Sequence, residues 1–254
     1  MNHPKILVTN DDGIYASGIK ALWNAMSEIG NVTVIAPNRE QSAVGHAITV
    51  SDPLRVKEVK RSDGFSGFAV DGTPSDCIKI GIQALLIEKP DVVVSGINHG
   101  SNTGNNIIYS GTISAATEGT MMDIPSVAIS LNSFEDRNFQ GAQTVAKTVV
   151  LKVLEKGLSK KTLLNVNVPA IPENEIKGYK ITQQGNAAFK DSFEKREDPR
   201  GNTYYWMTGK MINPDIELDN DQKAISEGYV SITPIHYRLT NHNFLDELKR
   251  WKFS

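Results

Sequence analysis

The stretch "ILVTNDDGIYASGIKAL", residues Ile6–Leu22, decides the fold because a strand, a polar turn and a helix follow one another in it. Lys5–Thr9 is a short apolar run typical of a buried parallel strand, and Asn-Asp-Asp-Gly supplies the turn. Over residues 14–29, apolar side chains recur every three to four positions, as in a helix packed on a sheet. Asp11 and Asp12 are therefore predicted to lie where a strand passes into a helix.

Two explanations account for Asp11 and Asp12. Asn and Asp side chains cap helices, because they accept hydrogen bonds from free N–H groups and their charge suits the positive helix end. One Asp is enough for a cap, whereas a second adjacent carboxylate adds repulsion that a cation would relieve. The pair by itself leaves capping and cation binding both open.

Composition excludes several classes of protein. The 254 residues can bury a sizeable core, and the net charge of -2 argues against a general nucleic-acid surface. Cys77 is the single cysteine, so an intrachain disulfide and a cysteine metal cage are excluded, and its apolar helical setting predicts burial. No signal-peptide pattern is present, and no apolar run approaches the ~20 residues of a membrane span. We expect a cytoplasmic protein that binds neither nucleic-acid polymers nor membranes.

Strand-like and helix-like segments alternate along the first two thirds of the chain. After Lys5–Thr9, strand-like runs begin at Val32, Asp91, Ser126 and Thr162. Helix-like stretches cover residues 14–29, 75–88, 112–122 and 140–156. Such alternation requires crossover connections and a mostly parallel sheet. We predict an α/β protein with three α/β/α layers and a mostly parallel, Rossmann-like sheet.

The pattern changes in two places. Short segments between Ile48 and Val70 predict a small hairpin insertion. From Tyr179 the helical periodicity fades and polar, aromatic and turn residues mix, which predicts an extended, β-rich arm and one last helix near Asn243–Trp251. We therefore divide the chain into a catalytic α/β domain, residues 1–178, and a C-terminal extension, residues 179–254. Hairpins rich in Tyr and Trp often form contacts between subunits.

Oxygen-rich or glycine-rich segments follow three predicted strands. They are "NDDG", "APNREQSAVGHAIT" and "SGINHGSNTGNNIIYSGT". Ligands of open α/β sheets bind beyond the carboxyl ends of the strands. Mg²⁺ and Mn²⁺ take carboxylate, amide and hydroxyl oxygens and complete their shell with water or phosphate. The side chains that would form such a partial shell are those of Asp11, Asp12, Ser42 and Asn98.

A phosphate site is predicted beside this shell. Ser110, Gly111 and Thr112 begin a predicted helix of small residues, whose N–H groups and dipole would bind a phosphate, although Ser110 or Thr112 could simply cap it. The glycines of the preceding loop do not match the G-x-G-x-x-G fingerprint, and "GIYASGIKA" only approaches a P-loop. His46 and His99 also lie in these loops, where histidines are more often solvated than functional.

These motifs resemble the SurE family of stationary-phase survival proteins, which are metal-dependent nucleotidases. The matching blocks cover most of the chain in order: "ILVTNDDG", "VIAPNREQSAVGHAIT", "VDGTPSDCIKIGI", "DVVVSGINHGSNTGNNIIYSGTISAATEG", "PSVAIS" and "GYVSITPI". The resemblance implies a three-layer α/β/α domain whose C-terminal extension is exchanged between subunits. It also implies homodimers or homotetramers assembled through these arms.

The resemblance further implies hydrolysis of nucleoside 5′- and 3′-monophosphates, with short-chain polyphosphate as a further possible substrate, and one Mg²⁺ or Mn²⁺ ion per subunit. The matching metal ligands are Asp11, Asp12, Ser42 and Asn98. The matching phosphate-binding residues are Asn102, Ser110, Gly111 and Thr112.

Attack by a metal-activated water is the expected mechanism, because the metal lowers the pKa of that water and neutralises phosphoryl charge. Asp11, or else Asp12, would orient or deprotonate the water. An aspartyl-phosphate phosphatase also uses a strand-end Asp, but it requires two aspartates separated by one residue, and here they are adjacent. A non-catalytic nucleotide sensor, which would bind at the same site without cleavage, is the alternative from another class.

Overall fold

The computed structural model describes residues 3–135, 138–214 and 219–253. The strands are β1 (Lys5–Thr9), β2 (Asn31–Pro37), β3 (Val56–Lys60), β4 (Ser66–Val70), β5 (Val92–His99), β6 (Ser126–Leu131), β7 (Thr162–Val168), β8 (Tyr179–Ile181), β9 (Ala188–Glu197), β10 (Thr203–Ile212) and β11 (Val230–His236). The α-helices are α1 (Ser17–Ser27), α2 (Pro74–Ile80), α3 (Gly111–Met121), α4 (Gln140–Lys156), α5 (Asp221–Ser226) and α6 (His242–Leu248). Among the described residues, no helix is long and apolar enough to span a bilayer.

The central sheet is mixed and mostly parallel. Its strand order is β3-β4-β2-β1-β5-β6-β7-β11-β8. The pairs β3–β4 and β7–β11 are antiparallel, and the other neighbours are parallel. The predicted sheet type is therefore confirmed.

Helices cover both faces of this sheet. In β1, Ile6 and Val8 point to the face covered by α1 and α4, whereas Leu7 points to the face covered by α2 and α3. Successive strand side chains face opposite ways, so a strand buried on both sides has to be apolar throughout. The three-layer α/β/α architecture is confirmed.

The sheet contains a topological switch point at β1. The chain passes from β1 to β2 on one side and later returns to β5 on the other. The pairing register between β5 and β6 shifts between Ser95 and Asn98, and the Gly96–Ile97 peptide is cis. A register irregularity redirects the side chains that follow it. The crevice beyond β1 and β5, where ligands of such sheets bind, is therefore lined by residues 10–13 and 98–100.

Element boundaries differ from the sequence predictions in several places. The first helix begins at Ser17, because residues 13–16 form a turn in which the Ala16 N–H donates to Gly13 O at 3.1 Å. The helix predicted over 75–88 is α2 followed by a π-helical turn, Gly81–Leu85. Apolar periodicity does not distinguish such a wider turn from an α-helix. The helices predicted over 112–122 and 140–156 correspond to α3 and α4.

The hairpin insertion is present, but it is shorter than predicted. β3 and β4 form an antiparallel hairpin, and β4 also pairs with β2, so that the hairpin continues the central sheet. Residues 46–55, which include the first part of the predicted hairpin, form no strand.

The C-terminal region contains a second sheet. β9 and β10 form a long antiparallel hairpin, which confirms the predicted β-rich arm. The last helix, α6, spans His242–Leu248 rather than residues 243–251. The division of the chain at residue 179 stays a prediction; β8 and β11, which follow it, pair within the central sheet.

Gly18 tests the packing of α1 on β5. A Cβ on Gly18, the second residue of α1, would collide with Ile97 O. We expect Gly18→Ala to lower the free energy of unfolding by about 1–3 kcal/mol, as overpacking does. Gly141, the second residue of α4, is the matched control, because the nearest atom to a Cβ there is the flexible Ile176 Cδ1, at 3.2 Å. Urea denaturation measures both variants, and equal stability of the two would contradict the tight α1–β5 contact.

Candidate functional site

Asp11 is buried directly beneath the first turn of α3. Its Oδ1 accepts a hydrogen bond of 2.5 Å from Thr112 Oγ1, and its carboxylate also accepts the Thr112 backbone N–H. Burial raises the pKa of Asp11 although these hydrogen bonds act to lower it. A Cβ on Gly111 would lie 2.6 Å from Asp11 Cβ, so the absence of a side chain there permits the close approach. The end of β1 and the start of α3 therefore form one unit.

Asp12 accepts fewer hydrogen bonds than Asp11, its neighbour in the site. Burial raises its pKa to about 7, and the negative charges of Asp11 and Glu40 act in the same direction, while the His99 backbone N–H acts to lower it. The His99 N–H is thus the single donor that favours its charged form, whereas Asp11 has both the hydroxyl and the N–H of Thr112. The site therefore contains more negative charge than its own donors balance.

The loop after β2 brings Ser42 and Glu40 towards these aspartates. The Gln41 N–H donates to Asp11 O at 2.7 Å, and Ser42 Oγ donates to Glu40 Oε1 at 2.6 Å. Sequence reasoning missed Glu40 as a member of the site. The sequence does contain an indication of its role, since Glu40 is an acid two residues before Ser42 in the same strand-end loop.

Asn98 lies at the end of β5, on the other side of β1. Its Nδ2 donates to His99 O at 3.0 Å and to Gly100 O at 2.8 Å. Because both amide hydrogens are used within its own loop, Oδ1 is the atom that can meet a cation or another donor.

The donor set fits a hard divalent cation. The oxygens of Asp11, Asp12, Ser42 and Asn98 belong to the types that Mg²⁺ and Mn²⁺ prefer. The raised pKa of Asp12 is the structural sign that positive charge would be favourable here. Within the described ranges, no group of three or more His, Cys, Asp or Glu side chains could hold a metal ion. A cation at this site would therefore depend on amide, hydroxyl and water oxygens in addition to the two aspartates.

The residues predicted to bind phosphate also make contacts within the protein, and their role towards phosphate stays a prediction. Ser110 caps α3, because its Oγ accepts the Ile113 N–H at 3.2 Å. Thr112 is engaged with Asp11 through both its hydroxyl and its N–H. Among the described residues, the Gly111 N–H is the amide of this first turn without an acceptor. It is therefore available, at the positive end of α3, to an anion.

Asn102 is buried in a network of polar side chains that the sequence reasoning missed. Its Nδ2 donates to Ser130 Oγ at 2.9 Å, and its backbone N–H donates to Asn167 Oδ1 at 2.8 Å. Its carbonyl oxygen accepts from Asn165 Nδ2 at 2.8 Å and from Asn167 Nδ2 at 3.1 Å. The available signal was "TLLNVNVP", a core strand in which two asparagines at alternate positions face one way.

A second group of contacts fixes the next residues of this loop. The fully buried Asp221, at the start of α5, accepts the Gly104 N–H at 2.9 Å and the Gly185 N–H at 3.0 Å. Burial raises the pKa of Asp221 although these backbone donors act to lower it. Thr103 Oγ1 donates to Gln222 Oε1 at 2.7 Å. No local sequence pattern distinguishes Asp221 from an ordinary helix-start acid, so its role could not be predicted.

The two loop histidines have protein partners. His46 Nε2 lies 2.9 Å from Glu118 Oε2, and Lys79 Nζ lies 2.7 Å from Glu118 Oε1. Burial acts to raise the pKa of Glu118, but the hydrogen bonds from His46 and Lys79 outweigh it and lower that pKa. The His99 ring stacks on Phe139 with a centroid separation of 5.0 Å. His46 therefore ties its loop to α3, and His99 reaches the site through its backbone.

This fold and site define a class of α/β/α proteins with an anionic, oxygen-rich site beside a helix N-terminus, at the switch point of a Rossmann-like sheet. A family model described as "Survival protein SurE" matches residues 6–191. The chain belongs to the SurE family, and the resemblance seen in the sequence blocks is confirmed.

Relatives match along nearly their whole length. The chain is 47% identical over 247 residues to a protein of Syntrophobacter fumaroxidans named 5′-nucleotidase SurE, covering 97% of this chain and 99% of that one. A relative of the same name from Christiangramia forsetii is 47% identical over 254 residues, covering 99% and 98%. The crystal structure of a SurE protein from Aquifex aeolicus superposes with a TM-score of 0.84 at 42% identity, covering 97% and 98%.

The raised pKa of Asp12 predicts how the stability of the metal-free protein depends on pH. Between pH 4 and its folded-state pKa of about 7, Asp12 binds a proton in the folded but not in the unfolded protein. The stabilisation of the folded protein by this bound proton is therefore fully present below pH 4 and is lost as the pH rises through 7. We expect the native protein to lose about 2 kcal/mol relative to Asp12→Asn between pH 5 and pH 7.5. Urea denaturation in EDTA measures this difference, and a difference independent of pH would contradict the environment described for Asp12.

Asp221 tests the anchoring of the loop after Asn102. Removal of its carboxylate in Asp221→Ala leaves the buried Gly104 and Gly185 N–H groups without their acceptor. We expect the free energy of unfolding to fall by about 2–4 kcal/mol, with a smaller loss in Asp221→Asn, which keeps one acceptor oxygen.

The matched control is Asp198→Ala. Asp198 accepts the backbone N–H groups of Arg200 and Asn202, both at 2.8 Å, but it does so in an exposed turn. Water replaces the lost acceptor there, so urea denaturation should show a loss below about 1 kcal/mol. Equal losses of unfolding free energy in the Asp198 and Asp221 variants would show that the buried Asp221 carboxylate stabilises the protein no more than an exposed one does.

Proposed function

We propose that this protein is a metal-dependent phosphomonoesterase that hydrolyses nucleoside 5′-monophosphates, and also 3′-monophosphates, to nucleoside and phosphate. The observation that supports it most directly is the adjacent pair of the buried Asp11 and the partly buried Asp12, whose pKa is about 7, beside the start of α3. The relatives named 5′-nucleotidase SurE support the substrate class. Short-chain polyphosphate, which presents the same terminal phosphoryl group, is a further substrate of this proposal.

A Mg²⁺ or Mn²⁺ ion bound by Asp11, Asp12, Ser42 and Asn98 would lower the pKa of a bound water and neutralise charge on the phosphoryl oxygens. The chain contributes the geometry of the ligands. Thr112 fixes the Asp11 carboxylate, and the Asn98 side chain is oriented by His99 O and Gly100 O. Oriented ligands reduce the reorganisation that the reaction requires.

The contacts favour Asp12 over Asp11 as the residue that orients or deprotonates the attacking water. Asp11 accepts two hydrogen bonds from Thr112, which hold its carboxylate in place and occupy part of its lone pairs. Asp12 accepts the His99 backbone N–H and retains free lone pairs. A base whose pKa lies near the operating pH is the most effective one. We therefore assign Asp11 mainly to ligand positioning and Asp12 to the water.

The substrate phosphate would bind between the start of α3 and Asn102. The Gly111 N–H has no acceptor among the described residues, and Asn102 Nδ2 keeps one hydrogen after donating to Ser130. Ser110 keeps its hydroxyl hydrogen for a donation, since its oxygen accepts from Ile113. Mutagenesis of comparable donors gives about 3 kcal/mol of transition-state stabilisation for each one.

We also propose that the β9–β10 arm joins subunits into a homodimer or homotetramer. Phe193, Tyr205, Trp206 and Met207 in this hairpin are each more than half exposed in the single chain. Aromatic residues and Met are enriched at protein interfaces. A second copy would remove these side chains from water.

The test is phosphate release from 5′-AMP and 3′-AMP in the presence of Mn²⁺. We expect release to require the metal and to fall at least about 100-fold in Asp12→Asn, because the base and a metal ligand are lost together. EDTA-treated protein supplies the metal-free reference. Asp123→Asn is the matched control, since Asp123 follows the opposite end of α3.

Three outcomes would contradict the proposal in different ways. Absence of release from either nucleotide by native protein with Mn²⁺ would remove the nucleotidase assignment. Nucleotide binding without release would favour the sensor. A phosphorylated Asp trapped during turnover would favour the aspartyl-phosphate mechanism.

A further inference from the structure

Phe134 is an exposed aromatic residue in the loop that follows β6. Its side chain is 82% exposed. The covered part of the ring lies on Gly100, where any Cβ would collide with the ring carbons Cε1 and Cζ. Gly100 also has a positive φ of 87°, a conformation that favours glycine. The glycine therefore lets the ring approach the backbone while most of the ring surface faces solvent.

Hydrogen bonds connect this ring to the candidate active site. Gly100 O accepts from Asn98 Nδ2 at 2.8 Å, and the Gly100 N–H donates to Ser133 O at 2.9 Å, next to Phe134. The neighbouring His99 N–H donates to the Asp12 carboxylate. The ring is thus attached to the same short loop that supplies Asn98, at the carboxyl edge of the sheet.

The chemistry of the ring limits what it can bind. A Phe side chain has no hydrogen-bond donor or acceptor, so it recognises a partner only through apolar contact and stacking. A nucleobase offers a flat π-face, and base–aromatic stacking tolerates any base. A sugar phosphate offers no comparable face. A supported ring at the same edge of the sheet as the proposed phosphate site therefore suits a ligand that has a base at one end and a phosphate at the other.

We propose that Phe134 stacks on the nucleobase of a nucleoside monophosphate whose phosphate lies at Gly111 and Asn102. This inference rests on the proposed function and names the part of the substrate that the carboxylate site does not contact. Stacking alone does not read the hydrogen-bonding edge of a base. Purines are therefore favoured over pyrimidines by their larger ring area, and adenine and guanine are treated alike.

The experiment compares a substrate that has a base with one that lacks it. The ratio of kcat/KM for 5′-AMP to kcat/KM for ribose 5-phosphate should fall about tenfold in Phe134→Ala, which corresponds to ~1.4 kcal/mol. The fall should come from KM for 5′-AMP rather than from kcat. Phe134→Trp should restore the native ratio, because it restores a stacking face.

Control variants separate stacking from general loss of apolar surface. Ile87→Ala removes a fully exposed apolar side chain at the opposite edge of the sheet, near Lys5, and should keep the native ratio. Tyr15→Ala and Tyr109→Ala test the exposed rings in neighbouring segments, which are 57% and 63% exposed. A fall in the ratio in either Tyr variant with none in Phe134→Ala would overturn the assignment.

A binding measurement distinguishes failure of this inference from failure of the proposed function. Calorimetry in the presence of Mn²⁺ measures the dissociation constants of the uncleavable 5′-phosphonate analogues of adenosine and of ribose. The ratio of these two constants is the binding counterpart of the kinetic ratio. If native protein cleaves no nucleotide but the binding ratio falls in Phe134→Ala, the hydrolase proposal fails and the stacking proposal stands. If native protein cleaves 5′-AMP and both ratios are unchanged in Phe134→Ala, stacking is overturned. Equal losses for both ligands would also overturn it, since the ring would then only support the loop.

Discussion

The contact between Asp11 and the first turn of α3 is the interaction on which the rest of the site depends. The Thr112 hydroxyl and N–H both donate to this carboxylate, and Gly111 leaves the space for the helix to approach. Asp12 and the Gly111 N–H are thereby fixed relative to each other across the edge of the sheet. The predicted cation-binding residues and the predicted phosphate-binding helix start are thus parts of one unit.

Two buried acids at the starts of helices, Asp76 and Asp221, show what is unusual about Asp12. Asp76 accepts the Thr49 and Thr73 backbone N–H groups, which ties the loop after β2 to the start of α2. Asp221 does the same for the loop after Asn102. Each of these acids accepts several hydrogen bonds and anchors backbone. Asp12 accepts far less and lies beside two further carboxylates. Because Asp12 has fewer hydrogen-bond donors than these acids, an added positive charge beside it would stabilise the protein.

Sequence patterns predicted the parts of the fold and site that are local. Asp11 and Asp12 were recognisable because they directly follow an apolar strand, and α3 because its small residues follow Ser110. The π-helical turn after α2 was missed because it preserves apolar periodicity. The contact of Gly104 with Asp221 joins residues 117 positions apart, and Asn102 with Asn167 joins residues 65 apart. Periodicity within a short window contains no information about such pairs, so their roles required the structure.

The C-terminal region is part of the site's support and not only an arm. Asp221 Oδ2 accepts the Gly104 N–H, and its Oδ1 accepts the Gly185 N–H, three residues before β9. The loop that leads from Asn102 to Ser110 and the root of the arm therefore share one buried carboxylate. Residues 1–178 alone would lack this acceptor and also β11, which pairs with β7 beside Asn165 and Asn167. Those two asparagines position Asn102. The placement of the predicted phosphate-binding residues therefore depends on β7, which precedes the arm, and on α5 and β11, which follow it.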